Sequence, residues 1–155
     1  MARRSKSTRT LKLILLALVA AGTASFFITS QAPSFISVRS DSDSVTIPTD
    51  TLGREQAKFY SYRDQAGEKL RFILARDSNG EVHAAMDACE RCYMYHQGYI
   101  WSYGYLVCKF CGNRYKLQTM ESGLASCVPA RLRVRVTPHN VNIKSADLEH
   151  ERGLV

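Results

Sequence analysis

The chain has 155 residues, five cysteines and a formal net charge of +7, enough for one modest globular domain with short appendages. Residues 1–30 hold five basic residues and no acid, leaving sixteen basic against fourteen acidic residues over 31–155. A basic excess gathered at the N-terminus is a membrane-topology signal, and it argues against the spread basic footprint of a nucleic-acid-binding domain.

After the basic stretch, Leu13–Ile28 runs for sixteen residues without a charge. As a helix it would rise about 24 Å, somewhat short of a hydrocarbon core of roughly 30 Å. Two expectations follow: an uncleaved signal-anchor at residues 1–30, or a signal peptide cut near the small residues Ala20–Ser25. Either one places the remaining chain outside the cytoplasm; the anchor makes it a single-pass protein of the cell membrane. Arg3-Arg4 lies well before the apolar run and lacks apolar residues just after it, a poor context for a twin-arginine export signal.

Residues 31–54 are rich in Ser, Thr, Asp and Pro and read as a flexible tether. Beyond them, Lys58–Arg63 and Leu70–Arg76 read as strands around a turn at Asp64–Glu68. Asn79-Gly80 is a hairpin signal, with Glu81–Met86 as the return strand. Tyr105–Phe110 and Asn113–Leu117 flank a knuckle at Cys108–Gly112. Leu132, Val134 and Val136 alternate with arginines over Arg131–Val136, which predicts one strand with those three on a shared face. Pro138–Asn140 turns the chain into Val141–Lys144, and Ser145 is placed to cap a short last helix with Leu148 facing inward. The expectation is an all-β domain over residues 55–150.

The cysteines stand at 89, 92, 108, 111 and 127: a Cys-x-x-Cys pair, fifteen residues, a second pair, fifteen residues, and a fifth cysteine. A two-residue gap lets both sulfurs of a pair converge on one centre, and two such knuckles supply four thiolates. Four thiolates suit Zn²⁺ or an iron–sulfur cluster. Cys89, Cys92, Cys108 and Cys111 are therefore the expected metal ligands, with Cys127 a fifth or alternative ligand, a lid, or a small buried hydrophobe. Tyr93 and Gly112 follow the two pairs where covalent haem attachment would need His. An extracytoplasmic compartment also permits disulfide or dithiol chemistry at either pair. His96 reads as a partly exposed polar residue before the Gly98 turn, with ligation the lesser reading, and His83 as structural. Residues 93–115 carry eight aromatics, divided between ordinary packing and a shield around the centre.

From Val82 to Lys144 the order of strand, ligand pair, Gly-containing loop, strand, second ligand pair and closing strands resembles a Rieske-type domain. Both pairs are all-Cys here, with Cys92 and Cys111 standing where Rieske proteins use histidine, and loss of the histidines would lower the potential. The expected architecture is thus a small Rieske-like or rubredoxin-knuckle β domain following one N-terminal transmembrane helix. A closer resemblance is to the FtrD-like family of membrane iron–sulfur proteins. It is carried by Asp87-Ala-Cys89-Glu-Arg-Cys92, Gly98-Tyr99, Val107-Cys108-Lys-Phe-Cys111-Gly112, and a terminal isoleucine strand before Asp147-Leu148. The late segment reads Ala125-Ser126-Cys127-Val128-Pro129 and lacks the family's glycine just before its cysteine. The resemblance covers roughly 55–150. It implies an extracytoplasmic iron–sulfur protein that passes electrons in bacterial iron uptake beside a permease and a cupredoxin-like oxidase.

Electron transfer, a structural zinc module presenting a binding surface, and a thiol–disulfide oxidoreductase are the three functions compatible with these residues. No βαβ pattern surrounds either pair, which counts against a thioredoxin-like version of the last. No phosphate loop and no Ser/His/Asp arrangement is visible, so hydrolase and kinase chemistry have no support.

Overall fold

The computed structural model describes residues 33–120 and 128–154. The fold rests on a five-stranded sheet in the order β1 (Phe35–Val38), β3 (Gln56–Arg63), β4 (Lys69–Arg76), β5 (Val82–Cys89) and β9 (Pro129–Arg131). All its pairings are antiparallel except β1 with β3.

The β3–β4 and β4–β5 turns are chemical twins, Asp64–Glu68 and Asp77–Glu81, each reading Asp-x-x-Gly-Glu. In each, the aspartate Oδ1 accepts the glutamate N–H four residues on, at 2.7 and 2.8 Å. Gly67 and Gly80 take φ of +84° and +90°, a region open to glycine at little cost. The remaining Oδ2 of each buried aspartate meets a base: Arg152 at Asp64, and His83 at 3.2 Å from Asp77.

Because strand residues alternate between faces, β3, β4 and β5 feed two separate cores. Tyr60, Tyr62, Leu70, Phe72, Leu74, Met86 and Ala88 point to one face. There they pack against Val45 and Ile47 of β2 (Ser44–Pro48), Val141 and Ile143 of β11 (Asn140–Lys144), and Leu148 of the helix α1 (Ser145–His150). Phe59, Ile73, Ala75, Ala85 and Cys89 point to the other face. That face is covered by β6 (Tyr99–Ser102), β7 (Tyr105–Cys108) and β8 (Arg114–Tyr115), a three-stranded sheet of its own. A second three-stranded sheet, β10 (Arg135–Val136), β11 and β2, closes the first face.

The all-β expectation holds for the described residues, with one short α-helix. Leu148 is fully buried as expected, but the Ser145 side chain does not cap: Lys144 precedes the helix in extended geometry with no side-chain bond. Two expectations are corrected. Residues 31–54 are not merely a tether, since they contain β1 and β2. Val45 and Ile47 alternate with exposed neighbours, and hydrogen-bonding of β2 to the distant β11 overrides the polar composition. Arg131–Val136 is not one strand. It divides into β9 and β10, which belong to different sheets, so Leu132 is buried while Val136 is 46% exposed. Period two marked extended chain, but not the crossing between layers. Tyr99–Ser102, a stretch to which the sequence reading assigned no element, is a strand joined to β7 by Tyr103-Gly104 with φ of +49° and +79°, a two-residue hairpin turn.

The expected membrane helix falls within residues 1–32 and lies outside the described residues. Among the described residues no helix is long and apolar enough to cross a membrane.

Candidate metal centre

Strand alternation delivers the first sulfur. Cys89 ends β5 on the same face as Ile73 and Ala85, beneath the β6–β8 sheet. The chain then turns tightly, with Cys92 N–H donating to Cys89 O at 3.1 Å and Tyr95 N–H to Cys92 O at 3.1 Å. Cys108 ends β7, and the second knuckle closes with Gly112 N–H on Cys108 O at 2.9 Å. Gly112 has φ of +73°, as its place after the pair suggests. Lys109 N–H donates to Gly98 O at 3.0 Å and ties the two knuckles together.

The sulfurs of Cys89, Cys92 and Cys108 all lie within 4.8 Å of one another, and all three residues are buried. Cys111, the fourth expected ligand, is exposed beside Cys108 and is not among the three sulfurs that converge. His96 is exposed and not among the converging ligands. Cys127 lies outside the described residues; Val128, which follows it, accepts the Glu90 N–H at 3.0 Å.

The surroundings favour anionic sulfur at Cys89. Burial pushes the Cys89 thiol up, but N–H groups of Arg91 and Cys92, the Cys92 thiol and the Tyr99 hydroxyl together hold it below its ordinary value. At Cys108 burial prevails over the N–H groups of Cys111 and Phe110, and the neighbouring Cys111 raises it further. Tyr99 is fully buried. Its phenol is raised by burial, then by the charges of Cys89 and Cys108, so it stays a donor. Among the described residues its hydroxyl finds no hydrogen-bond partner. Three converging thiols, N–H donors aimed at sulfur and this orphaned hydroxyl fit a thiolate-held metal.

Asp87, two residues before Cys89, was part of the sequence pattern but had no assigned role. Its Oδ1 accepts the Tyr99 N–H at 2.7 Å. Its Oδ2 stands 3.8 Å from Arg71 Nε, and Arg71 also donates to His96 O at 3.4 Å. The carboxyl thus pins the loop that carries the chain from the first knuckle into β6. Gly98 makes room for it, since a Cβ there would stand 2.5 Å from Asp87 Oδ2. Burial raises the Asp87 carboxyl to about 6, against the Tyr99 N–H and the charges of Arg71 and Lys109.

The eight aromatics divide. Tyr99 and Tyr115 are buried and meet edge-on at 6.1 Å. Tyr95 and Phe110, one from each knuckle, stack with centroids 3.7 Å apart and are both half exposed. Asp77, Glu81 and His83 also converge. The twin turn at Asp64, where Arg152 takes the place of His83, accounts for that cluster by turn chemistry and charge pairing.

The family model described as "Membrane iron-sulfur containing protein FtrD-like" matches residues 52–154. The chain belongs to this FtrD-like family. The match takes in both knuckles, the β6–β8 sheet, β11 and α1. No curated protein and no solved structure matches this FtrD-like chain.

Proposed function

We propose that this FtrD-like chain is a membrane-anchored, extracytoplasmic iron–sulfur electron-transfer protein serving an iron-uptake system. In this reading residues 13–28 anchor it. Cys89, Cys92, Cys108 and Cys111 hold the cluster, and a redox partner in a permease or cupredoxin-like system exchanges electrons with it. The observation that carries the reading is the convergence of three buried thiols from both knuckles within 4.8 Å, inside the region that matches an iron–sulfur family. The Rieske-like layout supports it at the level of element order.

A bound cluster supplies one-electron chemistry whose potential follows charge, burial and hydrogen bonds to sulfur. The residues supply the rest. Backbone N–H groups of Arg91 and Cys92 favour thiolate charge at Cys89, and those of Phe110 and Cys111 oppose the burial that raises the Cys108 thiol. Tyr99, Tyr115, Leu106 and Leu117 keep water from the inner side. Cys111 and the stacked Tyr95–Phe110 pair lie on the open side, where a partner would approach. Arg91, Lys109, Arg114 and Lys116 are exposed nearby and would steer an acidic partner.

A structural zinc site is the second reading, favoured by the tightness of the three sulfurs. Four thiolates at 2.3 Å from one ion stand about 3.8 Å apart, within the spacing seen. The full-length chain, purified anaerobically in detergent, decides between them. Iron with acid-labile sulfide, visible absorption and a reducible paramagnetic signal is expected. A colourless protein with one zinc per chain would sink the electron-transfer reading.

A further inference from the structure

Leu132 is buried and Val134 packs against the first core, so Arg131, Arg133 and Arg135 project outward and are exposed. Arg135 stands opposite Asn142 in the β10–β11 pair, and exposed Lys144 follows Asn142 on the same outer face of β11. Two adjoining grooves result. One is lined by Arg133, Arg135 and Lys144, the other by Arg131, Arg133 and His150. Asp147 borders both, and Glu151, 3.0 Å from His150, borders the second. Elsewhere arginines meet carboxylates, as Arg71 meets Asp87 and Arg152 meets Asp64 and Glu68. Among the described residues Arg133, Arg135 and Lys144 form no ion pair.

Side chains two residues apart on an extended chain stand about 6.6 Å from one to the next. One small anion cannot bridge that row of arginines, and Asp147 opposes an anion settling between the cations. A surface of repeated phosphates suits the row better. The chain belongs to a membrane family. With residues 13–28 as anchor, only residues 29–34 precede β1, and six residues reach about 20 Å at most whatever their conformation.

We propose that the arginine face docks onto the anionic phospholipid surface of the membrane that holds the chain. The proposal rests on the anchored part of the reading above and is independent of the cluster. It also fixes an orientation. The arginine face belongs to the layer over the first core, and the thiols lie under the opposite face of the central sheet. Docking turns the thiols away from the bilayer, toward a redox partner that arrives from the aqueous side.

Arginine modification by phenylglyoxal, read by mass spectrometry, tests this on the full-length chain in lipid nanodiscs. Arg133 and Arg135 should react about fivefold more slowly in discs with about 30% phosphatidylglycerol than in pure phosphatidylcholine discs. About 0.5 M salt should erase the difference. Arg91 and Arg114, exposed on the thiol side, should react equally in both discs. Arg133→Gln with Arg135→Gln should remove the protection of Arg131. Equal rates at Arg133 and Arg135 in the two discs overturn the proposal, and this is the result expected if an acidic protein is the true occupant. Protection of Arg91 and Arg114 instead overturns it too, as does protection by inorganic phosphate without any effect of anionic lipid. If alkaline carbonate strips the chain from the membrane, the anchor reading fails and the face is judged alone. The released chain should then float with phosphatidylglycerol vesicles and not with phosphatidylcholine vesicles, and no flotation overturns the proposal. Iron content enters neither result, so the electron-transfer reading stands or falls separately.

Discussion

The two faces of the central sheet are built from the same three strands and behave as different materials. On one face Phe72, Leu74, Met86 and their neighbours meet Val45, Ile143 and Leu148, and every member of that core is apolar or a tyrosine on its edge. On the other, alternate residues of the same strands end in Cys89 and pack under a sheet that contributes Tyr99, Cys108 and Tyr115. The first face is complete as hydrocarbon packing. The second buries three converging thiols and the Tyr99 hydroxyl, which has no hydrogen-bond partner among the described residues. Folding and function are thereby separated by the pleat of one sheet.

The sharpest way to break this contrast is to remove the ligands. Cys108→Ser should abolish metal retention, because a zinc or cluster site held by thiolates contributes roughly 10 kcal/mol or more of binding free energy. Hydrogen exchange should then rise at least about tenfold in β6–β8 and stay protected in β4 and β11. Equal loosening of both faces would show that the two cores do not act separately.

Phe72→Ala attacks the apolar face instead. It should cost about 3–5 kcal/mol in denaturant unfolding, while molecules that remain folded at low temperature still load metal at full stoichiometry. Metal loss before unfolding would contradict the separation.

Asp87 gives a pH test of the thiol face. Its folded carboxyl titrates at about 6 against an ordinary value near 3.8, so the folded protein holds the proton longer than the unfolded one. Stability from this group is present below about pH 4 and is lost as pH rises through about 6, by about 3 kcal/mol in full. Asp87→Asn keeps an acceptor for the Tyr99 N–H. It should flatten the stability curve between about pH 4 and pH 6.5, measured by denaturant unfolding at several pH values. A curve parallel to wild type would place the titration elsewhere.

The smallest effect is expected at the open edge. Phe110→Ala removes an exposed aromatic stack worth about 0.5–1.5 kcal/mol, so melting should shift by only a few degrees. A loss as large as that of Phe72→Ala would mean that the stack, rather than the buried sulfurs, holds the knuckles together.

Much of the site was legible as spacing. A gap of two residues forces the sulfurs of a pair toward one point wherever the chain goes, and glycine after the second pair marks a positive φ. The strands β3 and β4 were legible from their aromatic and aliphatic runs, and β5 as the return strand after the Asn79-Gly80 hairpin signal. Asp87 was visible as a letter in a pattern but not as a latch, because its partners Arg71 and Tyr99 are distant in sequence. Its burial arises only when β4, β5 and β6 meet.

By itself the amino-acid sequence determined the two knuckles, the turns and the all-β character, since each depends on residues within one short stretch. Only the tertiary structure decided that Ser44–Pro48 is a strand, that Arg131–Val136 crosses from one sheet to another, and that Tyr99 is buried among the thiols. Those outcomes depend on pairing between segments far apart in the chain, where long-range hydrogen bonds and burial outweigh local composition.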